Sequence, residues 1–358
     1  MCLTAHYIDS DWKLQKRIIN FCTMPNGKGE TIGRLIEQCM HGWGLEKVFT
    51  VTVDNAAAND SALSYFKRRV NGWKGAVLDG EFLHQHCVAH IVNLIVNEGL
   101  KEMHSSITAI QNAVKYVKSS PTRLQKFKDC VKQEKVKYKG SLVLDVPTRW
   151  NSTYMMLDVA IKFQKAFDRY EEEDEKFLGY FLEEDGGKRK VGPPMEEDWA
   201  NAKVFVQFLK TFYEVTLKFS ASQHVTSNTF FHEICSIQRQ LSELCESRDC
   251  LLSTMAFGMR RKFEKYWGNG ENINYILFIA VVLDPRYKRD YLRYYFSMVY
   301  DATTASKLCK KVDDTLSSLM SFYGKGVDNE KNREMAANTP KERPVQAVNE
   351  LLSQFLKQ

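Results

Sequence analysis

The sequence predicts an α/β layer built on a mixed sheet, followed by an all-α region. Three observations predict this. Strand-like and helix-like patterns alternate as far as about residue 118. The run Val48–Val53 is β-branched and apolar on both faces, as a central parallel strand is. From Pro147 onward almost every segment repeats its apolar residues at helical spacing.

Cys2–Ile8 reads as a strand, with Leu3, Ala5 and Tyr7 opposite Thr4 and His6. Lys13–Phe21 reads as a second strand, and Asp9-Ser10-Asp11 supplies turn chemistry between them. Gly27 and Gly29 break the chain. Ile32, Leu35, Ile36, Cys39, Met40 and Trp43 then share one helix face, and Gly42 and Gly44 end that helix. Val48–Val53 stops at Asp54-Asn55. A helix from about Asn59 to Val70 buries Leu63 and Phe66, and Leu83–Cys87 is a short strand. One or two helices run from Val88 to about Lys118, with Ile91, Leu94, Ile95, Leu100, Ile107, Ile110 and Val114 as their stripe. The order strand, strand, helix, strand, helix, strand, helix is that of an α/β layer.

After Pro121 the character changes. Met156, Ala160, Phe163 and Phe167 form one stripe; Trp199, Ala202, Val206, Leu209, Tyr213 and Leu217 form another. Further helices are expected over Thr229–Cys245, Leu251–Trp267 and Ile273–Leu283. Gly324–Gln346 is polar, holds Pro340 and Pro344, and reads as disordered. The expected division is therefore 1–120, 121–322 and 323–358.

Composition narrows the function classes. Of 358 residues, 44% are hydrophobic and 26% charged, which excludes a wholly disordered chain. No apolar run reaches the about 18 residues of a membrane-spanning helix. The first residues lack the basic flank and apolar core of a secretory signal. Nine widely spread cysteines, an odd number, argue for reduced thiols in a cytosolic or nuclear protein. A net charge of +6 and a pI near 8.7 permit a nucleic-acid partner without demanding one.

Five strings carry the functional signal. They are Leu3-Thr4-Ala5-His6-Tyr7-Ile8-Asp9 with Trp12-Lys13-Leu14; Thr52-Val53-Asp54-Asn55-Ala56 with Asn59-Asp60; Cys87-Val88-Ala89-His90-Ile91-Val92-Asn93-Leu94; Thr148-Arg149-Trp150-Asn151-Ser152-Thr153; and Leu283-Asp284-Pro285-Arg286-Tyr287-Lys288. In this order they resemble the hAT superfamily of DNA transposases, and within it the domesticated plant members of the RICESLEEPER and DAYSLEEPER kind. The likeness runs from about residue 2 to residue 322.

That resemblance implies a truncated RNase-H-like core with a large helical insertion. It places Cys2–Ile8 and Lys13–Phe21 as the second and third strands. The first strand with its aspartate, a BED zinc finger, and a dimerisation region with the third acid are expected to lie outside this chain. The family's reaction is metal-dependent DNA strand cleavage and transfer, in which carboxylates hold two Mg2+ or Mn2+ ions about 3.5–4 Å apart. Only Asp54 carries over, so the resemblance implies an incomplete metal site, no bound cofactor, no enzyme activity, a nuclear location and DNA as partner. Protein partners are a further expectation; a membrane is not.

Each candidate has a plainer reading beside it. Asp54 fits a vestigial metal ligand or a helix cap. His84, His86, Cys87 and His90 raise zinc, but no second Cys/His pair stands at finger spacing, so Cys87 and His90 read as packing or as neighbours of DNA. Arg149 and Trp150 fit a phosphate contact and a base platform, or equally a salt bridge and a buried staple. The basic run Lys115–Lys139, including Lys126, Lys128 and Lys132, suits a phosphate backbone or a solvated helix face. Arg286, Lys288, Arg289 and Arg293 among Tyr287, Tyr291, Tyr294 and Tyr295 read more readily as core or interface than as a DNA surface.

Overall fold

A computed structural model describes residues 1–146, 148–185, 187–220 and 225–337; the side chains of 185, 188 and 325–337 lie outside that description. Two compact units emerge. Of the described residues, the first joins Met1–Ile91 to those within Phe219–Cys235 and to those from Tyr266 to 337; the second joins Val92–Lys218 to Ser236–Lys265. The units are thus discontinuous in sequence, where the expected division followed chain order.

In the first unit, β1 (Cys2–Ile8) and β2 (Leu14–Phe21) form an antiparallel hairpin. Asp9 builds its turn, accepting hydrogen bonds from the Asp11 and Lys13 amides through Oδ1. Helix α1 (Gly29–Gly42) then packs on α2 (Ala57–Gly72). Gly29 and Gly33 make that approach possible. A Cβ at Gly29 would lie 2.5 Å from the Ala58 carbonyl oxygen, and one at Gly33 would lie 2.8 Å from that of Ala62. Gly29 is therefore a packing residue as well as a break. Buried Glu37 fastens the pair, accepting from Arg69 Nε at 2.8 Å and Tyr65 Oη at 3.2 Å.

The expected long strand at Val48–Val53 is shorter. Only β3 (Val51–Val53) forms a ladder, pairing in parallel with β4 (His84–His86). Val48 makes an isolated bridge to Ala76, and Phe49 packs edge-on against Phe82. The single mixed sheet is likewise corrected. The described strands form three separate two-stranded ladders, the third joining β5 (Glu184–Asp185) to β6 (Lys188–Arg189) in the second unit. Apolar patterning reports which face is buried, and Leu3, Val51 and Val53 do pack against one cluster with Ile36, Leu63, Phe66 and Leu83. It does not report which backbone edges pair, and no ladder joins β1 to β3.

Helix α3 (Val88–Leu100) follows β4 and leads into α4 (His104–Lys118), α5 (Pro121–Gln133), α6 (Trp150–Lys162), α7 (Gln164–Glu173), α8 (Glu175–Leu182) and α9 (Glu196–Ser220). Then come α10 (Phe230–Cys245), α11 (Cys250–Phe263), α12 (Ile276–Leu283), α13 (Lys288–Val299) and α14 (Ala302–Ala337). The first helical stripe read from sequence is buried, with Met156, Ala160, Phe163 and Phe167 all core; of the second, Trp199, Ala202 and Leu209 are core, Val206 and Tyr213 are half-buried, and Leu217 is 51% exposed, while Phe205, Phe208 and Phe212 supply the rest of the buried face of α9. Helix α12 starts later than expected because Asn274 is used as a connector. Its Nδ2 donates to the carbonyls of Phe82 and His84 at 3.1 and 3.2 Å, and its Oδ1 accepts from Ile276 N–H at 3.2 Å.

The linker expected from residue 323 begins differently, since α14 continues to Ala337. Pro340 and Pro344 lie outside the described residues, as does Pro147. Among the described residues no helix is long and apolar enough to cross a membrane.

Candidate functional site

In the first unit the site residues gather where β3 and β4 end. Cys87 N–H donates to the Val53 carbonyl at 2.8 Å, so Asp54 and Cys87 follow adjacent strand ends. His90 stands in the first turn of α3, and both it and Cys87 are half-buried. Asp54 is exposed, and its Oδ1 accepts from Ala56 N–H at 3.0 Å and Asn59 Nδ2 at 2.7 Å. These are local bonds in the turn before α2, whose N-cap position is Ala56 and which receives no side-chain cap bond.

The resemblance implies that Asp54 shares divalent metal with further carboxylates. Among the described residues, one group of three side chains holds metal-ligating atoms close together, and Asp54 is not in it; its members are Asp60, His84 and His86. Cys87 and His90 are not in it either. Among the described residues, no second ligating side chain is grouped with Asp54.

The Asp284-Pro285-Arg286 string is a clasp in the same unit. Asp284 is 6% exposed, at the end of α12. Arg286 grips it with Nε at 3.0 Å and Nη2 at 2.7 Å, its own N–H adds a bond at 3.0 Å, and Asn228 Nδ2 donates at 2.8 Å. The Arg286 guanidinium holds the carboxyl well below the usual carboxylate range, outweighing the opposing effect of burial. Three of the four neighbouring tyrosines pack inward as well: Tyr291 and Tyr295 meet Phe231 edge-on, and Tyr287 and Tyr291 cover His232, whereas Tyr294 is 64% exposed.

In the second unit, Trp150 opens α6 and is 4% exposed. It meets Tyr154 and Tyr213 edge-on at 6.5 Å, and those two rings stack at 4.5 Å. This is the staple arrangement. Arg149 is exposed and has no ion pair among the described residues. The rest of the string is tied to Asp145, whose Oδ1 accepts from Ser152 Oγ at 2.8 Å and Thr153 Oγ1 at 2.9 Å, while Oδ2 accepts from Gln111 at 2.7 Å.

The basic run divides in two. Lys126 faces inward, donating to the Glu173 carbonyl and lying 3.8 Å from Asp174. Burial acts to raise the Asp174 carboxyl, but hydrogen bonds from Tyr170, the Lys176 amide and Tyr116, with Lys126 nearby, hold it below its ordinary value. Arg123 lies over Tyr116 and Lys118 donates to the Leu142 carbonyl. Lys128 and Lys132 share the outer face of α5, and Lys132 pairs locally with Asp129 at 3.3 Å. Lys128, Lys135, Lys137 and Lys139 are exposed and carry no ion pair among the described residues. Site residues thus fall into two groups, one in each unit: Asp54, Cys87 and His90, then Lys126, Lys128, Lys132, Arg149 and Trp150.

Three family models match the chain: a ZBED1 RNase-like domain over residues 1–82, a ZBED1 RNase-like helical domain over 85–192, and a hAT-like transposase domain of RNase-H fold over 228–323. Among curated relatives, the zinc finger BED domain-containing protein RICESLEEPER 2 of Oryza sativa subsp. japonica is 31% identical over 90% of this chain and 42% of its own length. This chain belongs to the hAT transposase superfamily. The zinc finger BED domain-containing protein DAYSLEEPER of Arabidopsis thaliana is 32% identical over 90% of the chain and 44% of its own length. A putative AC transposase of Zea mays is 33% identical over 82% of the chain and 35% of its own length. The hAT chain described here therefore spans less than half the length of each of these relatives.

Sequence reasoning missed Asp145, Asn228 and the grouping of Asp60 with His84 and His86. Asp145 had a signal: an acid shortly before a helix start whose first turn carries two hydroxyls. Asn228 had none, because its partner Asp284 lies 56 residues on.

Proposed function

We propose that this hAT chain is a transposase-derived DNA-binding protein of the nucleus that does not cleave DNA. Its first unit is then an RNase-H-like core, and its second the helical insertion that meets DNA. The single observation carrying this reading is the set of outward cations, Lys128, Lys135, Lys137, Lys139 and Arg149, without ion pairs among the described residues. Unpaired cations at such density suit a phosphate backbone. The engagement of the Asp54 carboxylate by the Ala56 amide and the Asn59 side chain supports the lack of cleavage.

Fluorescence anisotropy on a labelled duplex across a salt series tests it. Micromolar or tighter binding that weakens with salt is expected. Lys128→Ala with Lys135→Ala reduces the slope of log affinity against log salt by about 2, roughly one per phosphate contact. No binding at low salt overturns the reading. Strand cleavage in Mg2+ or Mn2+, lost on Asp54→Ala, overturns the inactivity.

A second reading has its own observation. On the hairpin, Phe21 is 84% exposed and Ile18 66% exposed, beside Trp43, whose Nε1 donates to the Ile19 carbonyl at 2.7 Å. Such an apolar patch suits a protein partner, and this reading gains if DNA binding fails.

A further inference from the structure

The structure assigns a second role to the His-x-His strand: we propose that Asp60, His84 and His86 bind one Zn2+ ion, independently of DNA. These are not the Cys87 and His90 positions that spacing brings forward. Residues two apart on a strand point to the same face, so β4 presents both imidazoles together, with ring centroids 4.2 Å apart. Asp60 comes from the first turn of α2, and its Oδ1 stands 3.8 Å from His84 Nε2. One donor atom from each of the three residues lies within 4.8 Å of the others.

Among the described residues, the buried atoms His84 Nε2 and Asn55 Oδ1 beside this group lack hydrogen-bond partners. His84 Nε2 is buried with no hydrogen bond. An orphaned nitrogen of this kind costs roughly 1–3 kcal/mol unless something occupies it. Asn55 Oδ1 is also buried and unpaired, while the same amide lies 3.3 Å from His86 Nδ1. Amide oxygen and nitrogen exchange places on a half-turn. With Asn55 turned, Oδ1 accepts from His86 Nδ1–H, which frees the Nε2 lone pair of His86. A carbonyl holding the far nitrogen of a histidine is the usual support of a metal-bound imidazole. One ion thus gives the His84 nitrogen a partner, and the turned amide gives the Asn55 oxygen one.

Charge and donor type select the metal. Two imidazoles and one carboxylate suit zinc and not magnesium, which prefers oxygen. Zinc bonds of about 2.0–2.2 Å set tetrahedral donors roughly 3.4 Å apart, so the group must draw in by about an ångström. The Asp60 side chain, 56% exposed, has the freedom to do this. The fourth position is left to water. The bound ion would tie α2 to β4 beside Asp54.

The test is a zinc titration of the chelator-stripped full chain by calorimetry and competition with a chromophoric chelator, with Co2+ absorption as a second readout. One ion per chain at micromolar or tighter dissociation is expected, with visible cobalt bands from the imidazole donors. Asp60→Asn changes an exposed residue, keeps the fold by circular dichroism, and weakens binding by at least about tenfold. Asn55→Ala weakens it by about 10–100-fold, and His84→Gln with His86→Gln abolishes it. Substoichiometric zinc overturns the proposal. So does unchanged affinity in both Asp60→Asn and His86→Gln, or a site abolished by Cys87→Ser.

Discussion

Trp150→Ala is expected to destabilise the helical unit by about 3–5 kcal/mol, the usual cost of emptying a fully packed indole site. The ring is 4% exposed and braces the stacked pair Tyr154 and Tyr213, so its removal opens a cavity and unsupports two aromatics. Chemical denaturation followed by circular dichroism measures this, and Trp150→Phe should restore much of the loss. The companion Arg149→Ala touches an exposed cation, so it should leave stability nearly unchanged while lowering the salt dependence of DNA binding. The pair separates two roles that one string leaves open. If Trp150→Ala keeps its stability and loses only DNA affinity, the indole is a base platform and the staple assignment fails.

Asp284→Ala is expected to cost about 2–4 kcal/mol. It removes the acceptor of several charge-assisted hydrogen bonds, and leaves Asn228 and the Arg286 amide without theirs. The figure sits below that of a fully buried pair because the Arg286 side chain is 62% exposed and can turn to water. The acid dependence has a definite sign. The folded-state pKa of Asp284 is depressed, so its stabilisation is complete above the unfolded carboxylate value of about 3.9. It is lost as pH falls from there toward the folded value. Asp284→Asn should therefore flatten the decline in stability below about pH 4. An acid limb as steep in the variant as in the parent protein would sink this account.

The two groups differ in how legible they are. The Leu283–Lys288 and Thr148–Thr153 strings are recognisable by order, yet what the residues do in them is local carpentry. Asp284 needs Asn228, and Trp150 needs Tyr213, both distant in sequence. Lys126 and Lys128 look alike in a basic run. On α5 they point to different sides, one into the Asp174 network and the other to solvent. Helical spacing distinguishes the two faces, but only the packed neighbour says which face is covered.

From sequence alone came the order of strands and helices, the apolar stripes and the hAT resemblance. Each depends on residue type at a short, fixed spacing, and backbone geometry enforces that spacing whatever the chain does later. Tertiary structure decided the splitting of the sheet into separate ladders, the discontinuous units and the meeting of Asp60 with His84 and His86. These depend on which edges and faces come together across long stretches of chain. The contact energies there are set by burial and by hydrogen-bond partners that no local pattern names.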